Sequence, residues 1–97
     1  RPLVLSIKAQ EFLTAEGLKH LKETWKILLG IENWDKKIIE ESIKLYARDR
    51  NVKLNNVAQP LRAALTGSNI SPGIFEVIVN LGRDEVLGRI DDTINPG

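Results

Sequence analysis

Between Lys53 and Gly82 the apolar residues keep helical spacing, stop, and start again. Leu54, Val57, Ala58, Leu61, Ala64 and Leu65 fall at i, i+3, i+4, i+7, i+10 and i+11, one face of a helix. Gly67 stands where a left-handed stop belongs. Ser71 offers an N-cap, with Pro72 at the first helical position, where its missing N–H costs nothing. Ile70 and Phe75 have the spacing of a hydrophobic staple around that cap. Ile74, Val77, Ile78 and Leu81 give the second helix its inward side, and Gly82 ends it. The stretch is thus expected to form two amphipathic helices joined by a short turn. Pro60 is its awkward residue, because a proline inside a helix removes one hydrogen bond and crowds the carbonyl four residues back. The first helix either begins late, near Gln59, or begins near Leu54 and kinks. The apolar period runs unbroken from Leu54, which favours the early start.

The remaining chain is helical by the same criteria. A short helix is expected over residues 2–9, continuing from upstream, with Leu3, Val4 and Ile7 among its apolar set. Thr14 is an N-cap candidate with Leu13 and Leu18 as staple, opening a helix from Ala15 to about Leu29 that Gly30 stops. Asn33 or Asp35 caps the next helix, which runs to about Asp49. Its buried side is expected to hold Ile38, Ile39, Leu45 and Tyr46, joined by Ile43. Lys36 with Glu40, and Glu40 with Lys44, are i,i+4 pairs. Asp84 caps a last helix carrying Val86, Leu87, Ile90 and Ile94. No strand pattern or repeat occurs. The fold class is all-α: one domain over 1–97, a small bundle or cage of five to six short helices. Residues 1–50 hold the first helices and 53–94 form a helical subdomain.

Composition narrows the function. The 97 residues are 42% hydrophobic and 28% charged, enough for one core with little room for a deep cavity. Without cysteine there are no disulfides and no thiolate chemistry, and a structural zinc site is disfavoured. No apolar run approaches the roughly 20 residues needed to span a bilayer. The chain opens at Arg1 with a helical pattern already running, so it is expected to be cut from a longer protein. The net charge of +1 is too small for general nucleic-acid attraction, but its distribution is uneven. Lys44, Arg48, Arg50, Lys53 and Arg62 face Asp49 alone over residues 44–62. That run is either a solvated helix face or a basic strip that meets phosphates.

Catalytic constellations are absent. His20, the one histidine, lies between Lys19 and Lys22 in a helix and is expected at the surface. No serine has a histidine near it in sequence, and the glycines match no phosphate-binding spacing. Trp25 and Trp34 are expected to anchor the core and a helix start. The chain is expected to act by binding, with no metal site. Its best candidate is Arg62, at the rim of the apolar face and close in sequence to the free N–H groups of the following helix start. The competing role for Arg62 is a rim salt bridge to Glu76 or Asp84. Composition alone favours the rival reading, a helical protein-interaction module with no RNA role.

VAQPLRAALTG (Val57 to Gly67) followed by SPGIFEVIVNLGRDEVLGRI (Ser71 to Ile90) closely resembles the C-terminal end of bacterial glutamyl-tRNA synthetases. The resemblance is strong from about 53 to 90 and looser upstream. Members are class I aminoacyl-tRNA synthetases that activate glutamate with ATP and transfer it to tRNA. Their catalytic Rossmann domain carries HIGH-type and KMSKS-type motifs, and neither is present here. The resemblance therefore implies the distal part of an anticodon-binding region, an α-helical cage that is not catalytic by itself. It implies a cytoplasmic, monomeric parent enzyme that uses ATP and magnesium outside this fragment. Carried over residue by residue, Arg62, Ser71, Pro72 and Ile74 would lie against the anticodon, and Thr66 and Gly67 would shape the turn between them. Lys44, Arg48, Arg50 and Lys53 would suit anticodon-stem phosphates. Many relatives carry a basic residue just after the Thr-Gly pair; Ser68 stands here, so one phosphate contact is expected to be missing. A paralogue charging the glutamine-accepting tRNA with glutamate would carry the same motifs.

Overall fold

The computed structural model describes residues 5–68 and 72–96. Six helices follow one another among these residues, with no strand: α1 (Ile7–Gln10), α2 (Ala15–Leu29), α3 (Lys36–Asp49), α4 (Leu54–Thr66), α5 (Ile74–Leu81) and α6 (Arg83–Ile94). The Cα radius of gyration is 12.1 Å, close to the ~13 Å of a compact chain of about this length.

The helix at the centre is α4. It packs against each of the other five. Val57, Ala58, Pro60, Leu61, Ala63, Ala64 and Leu65 are all buried, so its apolar stripe is wider than the spacing alone suggests. The alanines let neighbouring helices approach closely. The helix starts at Leu54 and runs through Pro60 to Gly67, whose φ of 73° is the left-handed stop expected there. Pro60 has no N–H to give to the Asn56 carbonyl, and Asn56 is on the exposed side.

Around this axis, Leu21 and Leu28 from α2, Ile39, Ile43 and Ala47 from α3, Ile74 and Ile78 from α5, and Val86 and Ile90 from α6 close one core. Thr14 caps α2, its hydroxyl accepting from the Gly17 N–H at 3.1 Å. Asp35, not Asn33, caps α3 by accepting from Lys37 and Ile38 N–H. The two indoles act as anchors: Trp25 Nε1 on α2 donates to the Leu87 carbonyl of α6, and Trp34 Nε1 in the α2–α3 loop donates to that of Ile78 on α5.

Several expectations need correction. The first helix spans only Ile7–Gln10, because Ser6 caps it by accepting from the Ala9 N–H; residues 1–4 lie outside the described residues. Gly30 ends α2 at φ −83°, so this stop uses no left-handed residue. The last helix begins at Arg83 with Gly82 as N-cap, which moves Asp84 from cap to first turn. Ile38 and Leu45 are 39% and 48% exposed, because α3 turns Ile39, Ile43, Tyr46 and Ala47 to the core instead. Lys36 reaches across to Glu76 on α5 at 3.3 Å, leaving Lys44 as the contact of Glu40 at 2.6 Å.

His20 also departs from its expected surface position: it is 4% exposed. Its Nδ1 is hydrogen-bonded to the Tyr46 hydroxyl at 2.8 Å, and the two rings meet edge to face. Nε2 lies 3.4 Å from a Glu16 carboxylate oxygen. A proton on Nε2 therefore lets the Tyr46 hydroxyl donate to Nδ1. Burial pushes the Tyr46 hydroxyl above the usual phenol range.

Candidate functional site

The outward-tilted side of α4 meets the start of α5 in a shallow depression of about 310 Å³. Leu54, Ala58 and Arg62, at i, i+4 and i+8, form its α4 wall, while Gly73, Ile74 and Phe75 form the other. Helix α5 begins at Ile74 with Gly73 as N-cap and no side-chain cap. Its first internal bonds go from the Glu76 and Val77 N–H groups to the Gly73 carbonyl. Among the described residues the Ile74 and Phe75 N–H groups have no backbone acceptor, as the geometry of a helix start requires. A helix N-terminus carries partial positive charge, and this one opens on the same depression as a guanidinium.

The state of Arg62 separates it from Arg50, Arg83 and Arg89. Arg50 pairs with Glu23 at 3.5 Å and lies over the Tyr46 ring. Arg83 donates to the Ile31 and Glu32 carbonyls and covers Trp34. Arg89 donates to Glu85 at 2.8 Å and to the Leu65 carbonyl at the end of α4. Arg62 is partly exposed and makes no ion pair among the described residues. The rim salt bridge to Glu76 does not form, because Lys36 occupies that carboxylate.

Thr66 and Gly67 hold the end of α4 rather than line the depression. The Thr66 hydroxyl donates to the Arg62 carbonyl at 2.7 Å and accepts from the Ser68 N–H at 3.1 Å. Gly67 N–H donates to Ala63 O, and Gly67 O accepts from Ser6 N–H at 2.8 Å, which pins the chain entry to this turn. Ile74 is 4% exposed, so its side chain is a core group and its backbone is what the depression presents. Pro72 is exposed and precedes the helix by two residues; the expected helix start at Pro72 is corrected to Ile74. Ser71, expected as the cap, and Ile70, expected in the staple, lie outside the described residues.

The basic strip divides. Lys44 and Arg50 have carboxylate partners, whereas Arg48 and Lys53 are exposed without an ion pair among the described residues. None of these cations lines the depression. Sequence reasoning missed Leu54, Ala58, Gly73 and Phe75 as its walls. The signal for Leu54 and Ala58 was present, since both lie on the Arg62 side of α4 at four-residue spacing. Among the described residues no group of three or more His, Asp or Glu side chains could hold a metal ion, and no helix is long and apolar enough to cross a membrane.

Comparison with known proteins adds to this geometry. Residues 2–94 match the family model described as an anticodon binding domain. The chain is 48% identical over 94 residues to glutamate–tRNA ligase 1 of Bartonella henselae and 45% identical to glutamate–tRNA ligase 2 of Brucella ovis. Each alignment covers 97% of this chain and 20% of the relative, so the chain spans about a fifth of the curated relatives it matches. Among solved structures, a glutamate tRNA ligase from Elizabethkingia meningosepticum in complex with its amino acid superposes with a TM-score of 0.88. That similarity covers 97% of this chain and 19% of the other, at 24% identity, and speaks for the fold.

Proposed function

The chain belongs to the anticodon-binding domain family, and from that premise we propose that it binds the anticodon loop of a tRNA as the distal part of a glutamate–tRNA ligase. One observation carries the proposal: an arginine without an ionic partner among the described residues shares a depression with a helix N-terminus that no described side chain caps. An unstacked pyrimidine shows carbonyl and ring-nitrogen acceptors. A guanidinium and backbone N–H groups donate to such acceptors in fixed directions. Arg62 reads a base edge, and the Ile74 and Phe75 N–H groups offer a second set of donors. Thr66 and Gly67 set the direction in which α4 ends, with Ser71 and Pro72 leading into the α5 start. Arg48 and Lys53 are the strip residues available to stem phosphates, while Lys44 and Arg50 already hold Glu40 and Glu23.

The 97 residues are one binding unit, and catalysis belongs to the rest of the longer enzyme. ATP, magnesium and glutamate act there, in a cytoplasmic monomer that attaches glutamate to tRNA. Arg62→Ala should weaken binding of a glutamate-anticodon stem-loop by about 1–3 kcal/mol, read by fluorescence titration, with thermal stability nearly unchanged. Unchanged affinity with lowered stability would instead return Arg62 to a structural role.

A further inference from the structure

On the other side of the Asn55–Gln59 edge of α4 lies a more enclosed cavity of about 220 Å³. We propose that it receives a second unstacked nucleobase, one bearing an exocyclic amino group, beside the base held at Arg62. The proposal rests on the reading that the chain binds an RNA loop. Phe12 and Pro60 supply apolar walls, and Asn55, Gln59 and Glu16 supply polar groups. Gly17 lines the cavity with its backbone, packed directly under the Phe12 carbonyl and Pro60. Asn55 lines both this cavity and the Arg62 depression. Asn55, Gln59 and Arg62 fall at i, i+4 and i+7, a single stripe along α4 that two neighbouring nucleotides could follow.

Two features choose the ligand. First, the Gln59 amide makes no hydrogen bond among the described residues, and its Oε1 is buried without a partner. A buried acceptor left in this state is costly, and rotation of the amide turns it towards a donor in the cavity. Second, the carboxylates at the wall are acceptors. Glu16 has its carboxylate 3.4 Å from His20 Nε2, which orients it beside the opening. Glu11 stands at the same rim, paired with Lys8 at 3.9 Å. These carboxylates repel a phosphate and accept from an amino group, so the base enters and the backbone stays outside. Carboxylate and side-chain amide acceptors suit the N4 amine of cytosine and the N6 amine of adenine. Uracil presents O4 at that place, setting an acceptor against the Glu16 carboxylate. Stacking on Phe12 adds a contact common to all bases.

The test uses the 97-residue chain, isotope-labelled, titrated separately with cytidine, adenosine, uridine and argininamide. Cytidine and adenosine should shift the Gly17 amide and the Gln59 side-chain NH₂ several-fold more than uridine at equal concentration. Gln59→Met keeps the volume, removes the acceptor and should abolish those shifts while the fold persists. Arg62→Ala should leave them intact. Equal shifts from uridine, or nucleoside shifts undiminished in Gln59→Met, would overturn the proposal. Larger shifts from argininamide would identify the cavity as a dock for a cationic protein side chain. An anticodon stem-loop that shifts Arg62 and Ile74 but leaves Gly17 and Gln59 unmoved would sink this site and spare the RNA function. Nucleoside shifts without any stem-loop binding would support the cavity and remove the RNA function.

Discussion

A Cβ at position 17 would lie 2.1 Å from the Phe12 carbonyl oxygen and 3.3 Å from Pro60 Cγ. The first of these is backbone, so it cannot swing aside as a side chain end does. Gly17→Ala should therefore destabilise the chain by about 1–3 kcal/mol in chemical denaturation, as overpacking does, although alanine is the better helix former. The Tyr46 hydroxyl is the next critical contact. Removing it leaves the buried His20 Nδ1 without its partner. Tyr46→Phe should cost about 1–3 kcal/mol by the same measurement. An effect near zero would mean that water replaces the hydroxyl. Neither role was legible in the chain. Gly17 sits in the first turn of a good helix, and its need for bare backbone comes from Phe12 folding back over it. His20 is flanked by lysines, and its inward direction follows from the pitch of α2 against α3, a tertiary fact.

At the level of helices, what was readable depended on how many local signals agreed. For α4 the apolar period, the left-handed glycine and the i+7 continuity through Pro60 all pointed the same way, and the helix runs from Leu54 to Thr66. The cap of α2 was readable because Thr14 bonds within three residues, and that of α3 was narrowed to Asn33 or Asp35, of which Asp35 makes the bonds. The start of α5 was not, since serine and proline both favour a helix start and the chain delays it to Ile74. On α3, Ile38 and Leu45 match the hydrophobic count but sit on the wrong side of the turn. The same helix carries a testable pairing. The hydrogen bond and charge of Lys44 hold the partly exposed Glu40 carboxyl below its ordinary range. A carboxyl lowered on folding adds stability above its unfolded pKa and loses it as pH falls through the folded value. Lys44→Ala should raise the Glu40 pKa towards the ordinary glutamate value in a carbon-detected titration, with little change in global stability. An unmoved pKa would assign the lowering to Lys36 instead.

Taken whole, the molecule surrounds one central helix and leaves one side of that helix accessible at the α5 start. That side was half legible. Arg62 stood out as a rim cation, yet the depression needs residues 54–62 and 73–75 to meet, which no local pattern states. The distribution of bound arginines was likewise hidden: Arg50, Arg83 and Arg89 hold the bundle together, and Arg62 does not. The account therefore rests on where an anticodon loop touches the chain. The direct measurement is amide-shift mapping of the 97-residue chain titrated with a glutamate-anticodon stem-loop. The largest shifts should fall on Ala58, Arg62, Gly73, Ile74 and Phe75. Shifts spread evenly over the bundle, or centred on the Lys19–Lys22–Lys26 face of α2, would contradict it.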